Sequence, residues 1–264
     1  MKKIYILISI ISINTIAADY EPYESSYEPL PYTNTIFKNA NIYDGDGKEF
    51  IETDIIIQDG KIIAIGKELP RSNELITVDA TGKWITPGII DIHSHMGVYP
   101  APSVKTSSDG NEATSPVTAD VWAEHSIWTQ DPQFALALKG GVTTFHVLPG
   151  SANLIGGRGV TAKNLQRNTI NSMKFPDAPH SLKMACGENP KRVYGNRGQA
   201  PSTRMGNIAG YRKSWIRAKS YLSKLDEYEA KSDEAKELSY KPTRDLELET
   251  LAGALRGDIL VHNH

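Results

Sequence analysis

Short stretches of alternating apolar and polar residues, broken by turn residues, fill the chain from residue 35 to about residue 86. Residues 36–43 run into Asp44-Gly45-Asp46-Gly47, and residues 54–58 and 61–65 flank Asp59-Gly60, a pair that favours a tight two-residue hairpin. Residues 75–78 and 83–85 add two more strands around Thr81-Gly82, so the pattern predicts a small β-domain over 35–86. The chain then passes into Gly88-Ile-Ile-Asp-Ile-His-Ser-His95, which reads as a buried strand. Residues two apart in a strand share a face, which puts Asp91, His93 and His95 on one side and Ile90 and Ile92 on the other. Such a strand suits a barrel: the aliphatic side meets outer helices and the imidazoles face the interior.

Periodicity is lost from residue 96 to about 117, a loop long enough to be read as a site cover, with disorder as the alternative. A short helix over 131–139, stopped by Gly140-Gly141, and a strand over 142–148 carrying His146 follow, implying a parallel crossover. Residues 150–159 (Gly-Ser-Ala-Asn-Leu-Ile-Gly-Gly-Arg-Gly) lack the Gly-Lys-Ser/Thr ending of a P-loop. They read as a plain tight loop or as one whose N–H groups, with Arg158, hold an anionic part of a substrate. A short strand over 182–186 leads to Gly187-Glu188-Asn189-Pro190. Ile208, Tyr211, Trp215, Ala218, Leu222 and Leu225 recur at helical spacing, with the charged stretch 226–237 as a solvated continuation. Leu248, Leu251, Ala252 and Leu255 mark another helix closed by Gly257, and residues 258–264 form a last strand.

Charge changes little in this picture: 29 Lys+Arg against 31 Asp+Glu gives no electrostatic case for a nucleic-acid partner. A single cysteine, Cys186, excludes an internal disulfide and any Cys-rich zinc module, so a metal must be held by nitrogen and oxygen; on a buried strand this thiol is expected to be inert. Lys2 and Lys3 precede the apolar run 4–13 and the small residues Ala17-Ala18, the order of a secretory signal peptide over 1–18; an uncleaved anchor is the alternative. The expectation is export to a periplasmic or extracellular compartment, with no membrane span after cleavage and an acidic, proline-punctuated tether over 19–34.

The last strand repeats the logic of the first, with Leu260, His262 and His264 on one face. Buried imidazoles without partners are costly, and two strands that each end in a same-face pair point to a shared metal. His146 reads equally as a core histidine or a substrate contact, and His125 and His180 receive no role.

The runs Asn39-Ala-Asn-Ile-Tyr-Asp-Gly, Asp59-Gly-Lys-Ile-Ile-Ala-Ile-Gly and Asp79-Ala-Thr-Gly-Lys-Trp-Ile-Thr-Pro-Gly-Ile-Ile-Asp-Ile-His-Ser-His resemble the amidohydrolase superfamily, in its imidazolonepropionase-like branch. The resemblance implies an α/β fold, a small N-terminal β-sandwich over 35–86 beside a metal-dependent hydrolase (β/α)8 TIM-type barrel over 87–264, here incomplete at about five strands. It also implies Zn2+, as one or two divalent ions, and metal ligands at His93, His95 and His262, with His264 the weaker strand-five candidate. A ligand from the middle strand is either Glu188, where Glu-Asn-Pro is similar to a Glu-Gly-Pro of related deacetylases, or Lys183, which resembles the lysine that other branches convert to a carbamate. Arg158, His146 and His264 are the side chains expected to meet substrate; no residue is assigned as the catalytic base. The implied reaction is hydrolysis of a C–N bond in a small cyclic amide, acylated amine or dipeptide. The sequence departs from the resemblance after strand five, lacking the sixth-strand histidine and eighth-strand aspartate. It is therefore read as part of a longer enzyme or as a truncated, non-catalytic remnant or binding protein.

Overall fold

A computed structural model of the chain describes residues 23–264, so the signal-peptide reading of 1–18 and the start of the tether lie outside the described residues. The N-terminal domain is one five-stranded mixed sheet built from β1 (Thr35–Tyr43), β2 (Glu49–Gln58), β3 (Lys61–Gly66), β4 (Ile76–Asp79) and β5 (Trp84–Ile85). The order is β3-β2-β1-β4, with β5 also on β1; β2 runs antiparallel to β1 and β3, and β4 and β5 run parallel to β1. Asp59 and Gly60 turn the β2–β3 hairpin with φ of 51° and 73°, the positive values that a tight primed turn needs. Ala40, Ile42, Ile55 and Ala80 make its core. The sandwich expected here is represented among the described residues by this one sheet, which leaves Ile62, Ile63 and Ile76 exposed.

The second sheet carries the histidines. Its strands are β6 (Ile89–Ser94), β7 (Val142–Val147), β8 (Ile155–Lys163), β9 (Ser181–Met184) and β10 (Leu260–Asn263), in the order β10-β9-β8-β7-β6. β6–β7 and β9–β10 are parallel, whereas β8 is antiparallel to both neighbours. This corrects the reading of 150–159 as a tight loop: its second half is strand, and Leu154 and Ile155 are fully buried. The glycine cluster hid the strand because glycine is a poor strand former, tolerated here by close backbone packing.

Among the described residues five α-helices complete the fold: α1 (Pro132–Lys139), α2 (Glu188–Gly195), α3 (Arg204–Glu229), α4 (Asp233–Glu237) and α5 (Leu246–Arg256). Asp131 caps α1 by accepting from the Gln133 N–H, and Gly257, at φ 89°, closes α5. α1 lies against β7, where Phe134 joins Phe145, Val147 and Met173 in one core; α3 and α5 bury Ala218 and Leu251 with Leu182 and Met184 of β9 in another. α2 has no counterpart in the hydrophobic pattern, and the continuation of α3 breaks at residues 230–232 before α4. Ile90 and Ile92, expected under helices, are 63% and 68% exposed, because α1 packs on β7 and no described helix crosses the outside of β6.

The tether is not free where it is described. Lys174 donates to Tyr23 O at 2.6 Å, the Ser25 hydroxyl donates to Lys174 O at 2.8 Å, and Ser26 N–H donates to Asn171 O at 3.0 Å, tying residues 23–28 to the barrel half. Among the described residues no helix is long and apolar enough to cross a membrane.

Candidate metal centre

β6 and β10 are the two edges of their sheet, four strand spacings apart along it. At ~4.8 Å per spacing, flat strands in these positions would be separated by ~19 Å. The His93 ring nevertheless lies 4.9 Å, centroid to centroid, from the rings of both His262 and His264. The sheet must therefore curl into a half-barrel, with these side chains on its concave face. Register places the fifth member: Lys183 of β9 stands directly beside His262 of β10, and neighbours across a ladder share a face.

His93 is the hub. Its ring meets His95 at 5.2 Å and all three imidazoles edge to face, and its Nε2 lies 3.2 Å from the Lys183 Nζ. Lys183 is 1% exposed and has no carboxylate partner among the described residues. The outer two rings are held by their other nitrogens: His95 Nδ1 lies 2.9 Å from Leu148 O, and His264 Nδ1 lies 3.1 Å from the Ser151 hydroxyl.

Burial first, and then the neighbouring cations, set the protonation of this group. Burial, followed by Lys183 and the other imidazoles, pushes His93 down to about 4. Burial also lowers His95 and His262, with Lys183 adding to it, and burial alone brings Lys183 down to about 8. The rings of His93, His95 and His262 are thus neutral at pH 7 and keep a lone pair. As the side chains stand, no three His, Cys, Asp or Glu among the described residues form a closed ligand shell. The donor set still fits a divalent ion: several neutral imidazoles converge, two with the far nitrogen already engaged, beside a buried amine of lowered basicity.

Of the other expected site residues, Glu188 and Arg158 stand apart from the cluster, whereas His146 lies near enough to His262 for the two imidazoles to interact. Glu188 opens α2 with a side chain 78% exposed and paired with Arg192, so helix formation at 188 turns it away from the imidazoles. Arg158 faces the opposite side of the sheet from Lys183; it is 7% exposed, stacks on Trp122 at 4.4 Å and donates to the Thr250 hydroxyl at 3.0 Å. That corrects its reading as a substrate anchor: it fastens β8 to α5. His146 spends Nδ1 on the Thr161 hydroxyl at 2.9 Å and Nε2 on the Ser181 hydroxyl at 2.5 Å, leaving no nitrogen for a substrate. His125, in a short 3-10 turn, and His180, just before β9, both lie against Trp122. Cys186 is exposed, just past the end of β9, rather than buried on it.

Sequence reasoning missed Tyr99, Asn111 and Ser151. The Tyr99 ring lies edge-on to His95 at 5.7 Å, and its hydroxyl is bonded to the Asn111 amide. These residues come from segments without periodicity, and no local pattern marks them. The aperiodic stretch is ordered: Asn153 Nδ2 donates to Glu112 O, Ser115 O and the Thr118 hydroxyl at 2.7–2.9 Å. Beside it opens a cleft of about 460 Å³, lined in part by Asp109, Asn111, Trp122 and Pro149.

No protein-family profile matches the chain. A fungal protein described as "Amidohydrolase tasK", from Hapsidospora irregularis, is 34% identical over 255 residues, covering 90% of this chain and 25% of its own length. A dihydroorotase of Ligilactobacillus salivarius is 41% identical over 63 residues, which is 23% of this chain and 14% of the relative. Among solved structures, an amidohydrolase from Thermotoga maritima MSB8 superposes with a TM-score of 0.77 at 37% identity, covering 87% of this chain and 57% of that one. The chain thus spans about a quarter of the first relative and somewhat over half of the solved structure.

Proposed function

The chain belongs to the amidohydrolase superfamily, and on that premise we propose that it supplies the metal-holding side of a hydrolase that cleaves a C–N bond in a cyclic amide, an acylated amine or a dipeptide. One observation carries the reading: the imidazoles of two sheet edges meet over the amine of a buried lysine.

His93, His95, His262 and His264 would hold one or two divalent ions, most simply zinc, and burial keeps the first three of these rings below their ordinary pKa. The ion, when bound, would polarise the scissile carbonyl and bring the pKa of water toward ~7. Lys183 is the middle-strand residue that the geometry favours over Glu188. With its pKa near 8, about a tenth of the amine is free base at pH 7. A free amine adds to carbon dioxide: an N–C bond forms, the N–H proton leaves to solvent, and the side chain ends as an anionic carbamate. That charge answers what the site otherwise lacks, since Lys183 has no carboxylate beside it. Asp91, the carboxylate two residues before His93, spends an oxygen on the His93 N–H at 3.0 Å. The 460 Å³ cleft is lined by Pro149 of the loop that borders the imidazoles and by Asn111, which bonds that loop, and is where the remainder of a small substrate would lie. The basic and then apolar start of the sequence supports export as part of the same reading.

Metal analysis of the full-length protein tests the proposal. Stoichiometric zinc or a similar ion is expected, with at least tenfold loss of retention in His93→Ala and in Lys183→Ala, and metal-dependent turnover across a panel of cyclic amides, acyl amines and dipeptides. Unchanged metal content in His93→Ala, or full hydrolysis by chelated protein, would reject it.

A further inference from the structure

The loop between β7 and β8 touches both outer imidazoles from one side. Leu148 O meets His95 Nδ1 at 2.9 Å, and three residues later the Ser151 hydroxyl meets His264 Nδ1 at 3.1 Å. Residues 148–152 therefore border the two ends of the cluster, one just past β6 and one just past β10, with a single short piece of backbone. A carbonyl oxygen can only accept, so the Leu148 contact requires His95 to carry its proton on Nδ1 and leaves Nε2 as a bare lone pair.

The loop is itself held. The Leu148 N–H donates to Ser94 O at 3.0 Å, between the two histidines of β6, and the Gly150 N–H donates to Gly110 O at 2.6 Å. The Asn111 side chain makes the third tie: its Oδ1 accepts from the Ala152 N–H at 3.0 Å, while its Nδ2 bonds the hydroxyl of Tyr99, whose ring lies against His95. Gly150 makes room for that amide, because a Cβ there would fall 2.2 Å from Asn111 Nδ2. A closed circuit results, from His95 through Tyr99, Asn111 and residues 150–152 to His264, and back to His95 through Leu148.

We propose that Ser151 and Asn111 are positioning residues of the metal centre, acting through a collar, residues 148–152, that fixes the aim of His95 and His264 and joins them to the long cover segment. The inference rests on the metal-hydrolase reading and adds to it the residues that orient the ligands. Partners of this kind, bonded to the far nitrogen of a ligating imidazole, change metal affinity by ~10–100-fold when removed. The collar also gives His264 a dedicated hydrogen-bond partner, which makes it a ligand in its own right rather than the lesser of the β10 pair.

Zinc titration by calorimetry and the visible absorption of the Co2+-loaded full-length protein test this without reference to turnover. Ser151→Ala is expected to weaken zinc binding about 10–100-fold and to shift the cobalt bands, Ser151→Thr to restore both, and Asn111→Ala to weaken binding in the same direction. In the metal-free wild type, nitrogen-15 spectra of the imidazoles should show His95 protonated on Nδ1. That measurement keeps the proposal falsifiable if Asn111→Ala does not fold. Wild-type metal affinity and an unchanged cobalt spectrum in Ser151→Ala, or an Nε2-protonated His95, would overturn the collar and leave the metal reading standing. A wild-type protein that binds neither ion would overturn both.

Discussion

His146 shows how a buried imidazole can be built in without being a ligand. Both its nitrogens are used by hydroxyls, and burial pushes it down to about 4 from an ordinary 6.5, as it also does His93 and His180. The sign of the consequence is fixed: between pH 6.5 and about 4 the unfolded chain has taken up protons that the folded chain has not, so stability falls as pH drops through that window. The metal-free protein should therefore show a urea midpoint lower at about pH 4.5 than at about pH 7.5, and His146→Gln should flatten part of that dependence. An equal midpoint at both values would contradict it. The same pocket constrains Gly159. A Cβ there would stand 2.6 Å from the Ser181 hydroxyl, 2.7 Å from Leu148 Cδ2 and 2.9 Å from His146 Nε2. Gly159→Ala is expected to cost ~1–3 kcal/mol by overpacking, read as a lowered urea midpoint. Strand alternation alone puts His93 and His95 on one face of their strand and His262 on a matching face of the last, and the structure gathers those rings. Where Arg158 and Glu188 stand turned on which element each belonged to, and Gly-rich 150–159 and the start of α2 gave no periodic signal to decide it.

Elements were legible wherever local chemistry and tertiary packing agreed. Asp59-Gly60 makes the predicted hairpin, Gly140 ends α1, and the stripe of Tyr211, Trp215, Ala218 and Leu222 lies in α3 as its spacing requires. α5 is the clearest case, with Asp245 accepting from the Leu248 N–H at 3.0 Å at its start and Gly257 at its end. Asp245→Ala should remove ~0.5–2 kcal/mol through the lost cap, measured by thermal or urea unfolding; because α5 packs on β9, the loss should appear in global stability rather than as local fraying. Full native stability in that variant would show that the cap is redundant. What no element-level pattern revealed was direction: β8 reads as apolar and glycine-rich either way, and its antiparallel course is set by pairing with β7 and β9 at once.

At the scale of the whole molecule, the two histidine pairs lie more than half the chain apart in sequence and at opposite margins of one sheet, yet their rings touch. Curvature brings them together, and curvature is a property of five strands acting jointly, which no single stretch of sequence records. The fold class was readable through the resemblance carried by the runs within residues 39–95, to which the shared alternation of the entry strand and the last strand added matching faces. The coupling of the cover segment to the imidazoles was not, because it runs through single side chains, Asn111, Ser151 and Tyr99.

The curl of that sheet has one more consequence. Among the described residues its two margins, β6 and β10, share no ladder and meet only through side chains, His93 with His262 and His264. Under the metal reading proposed above, an ion shared by those rings would clasp the two margins, so that loading it and fixing their approach become one event.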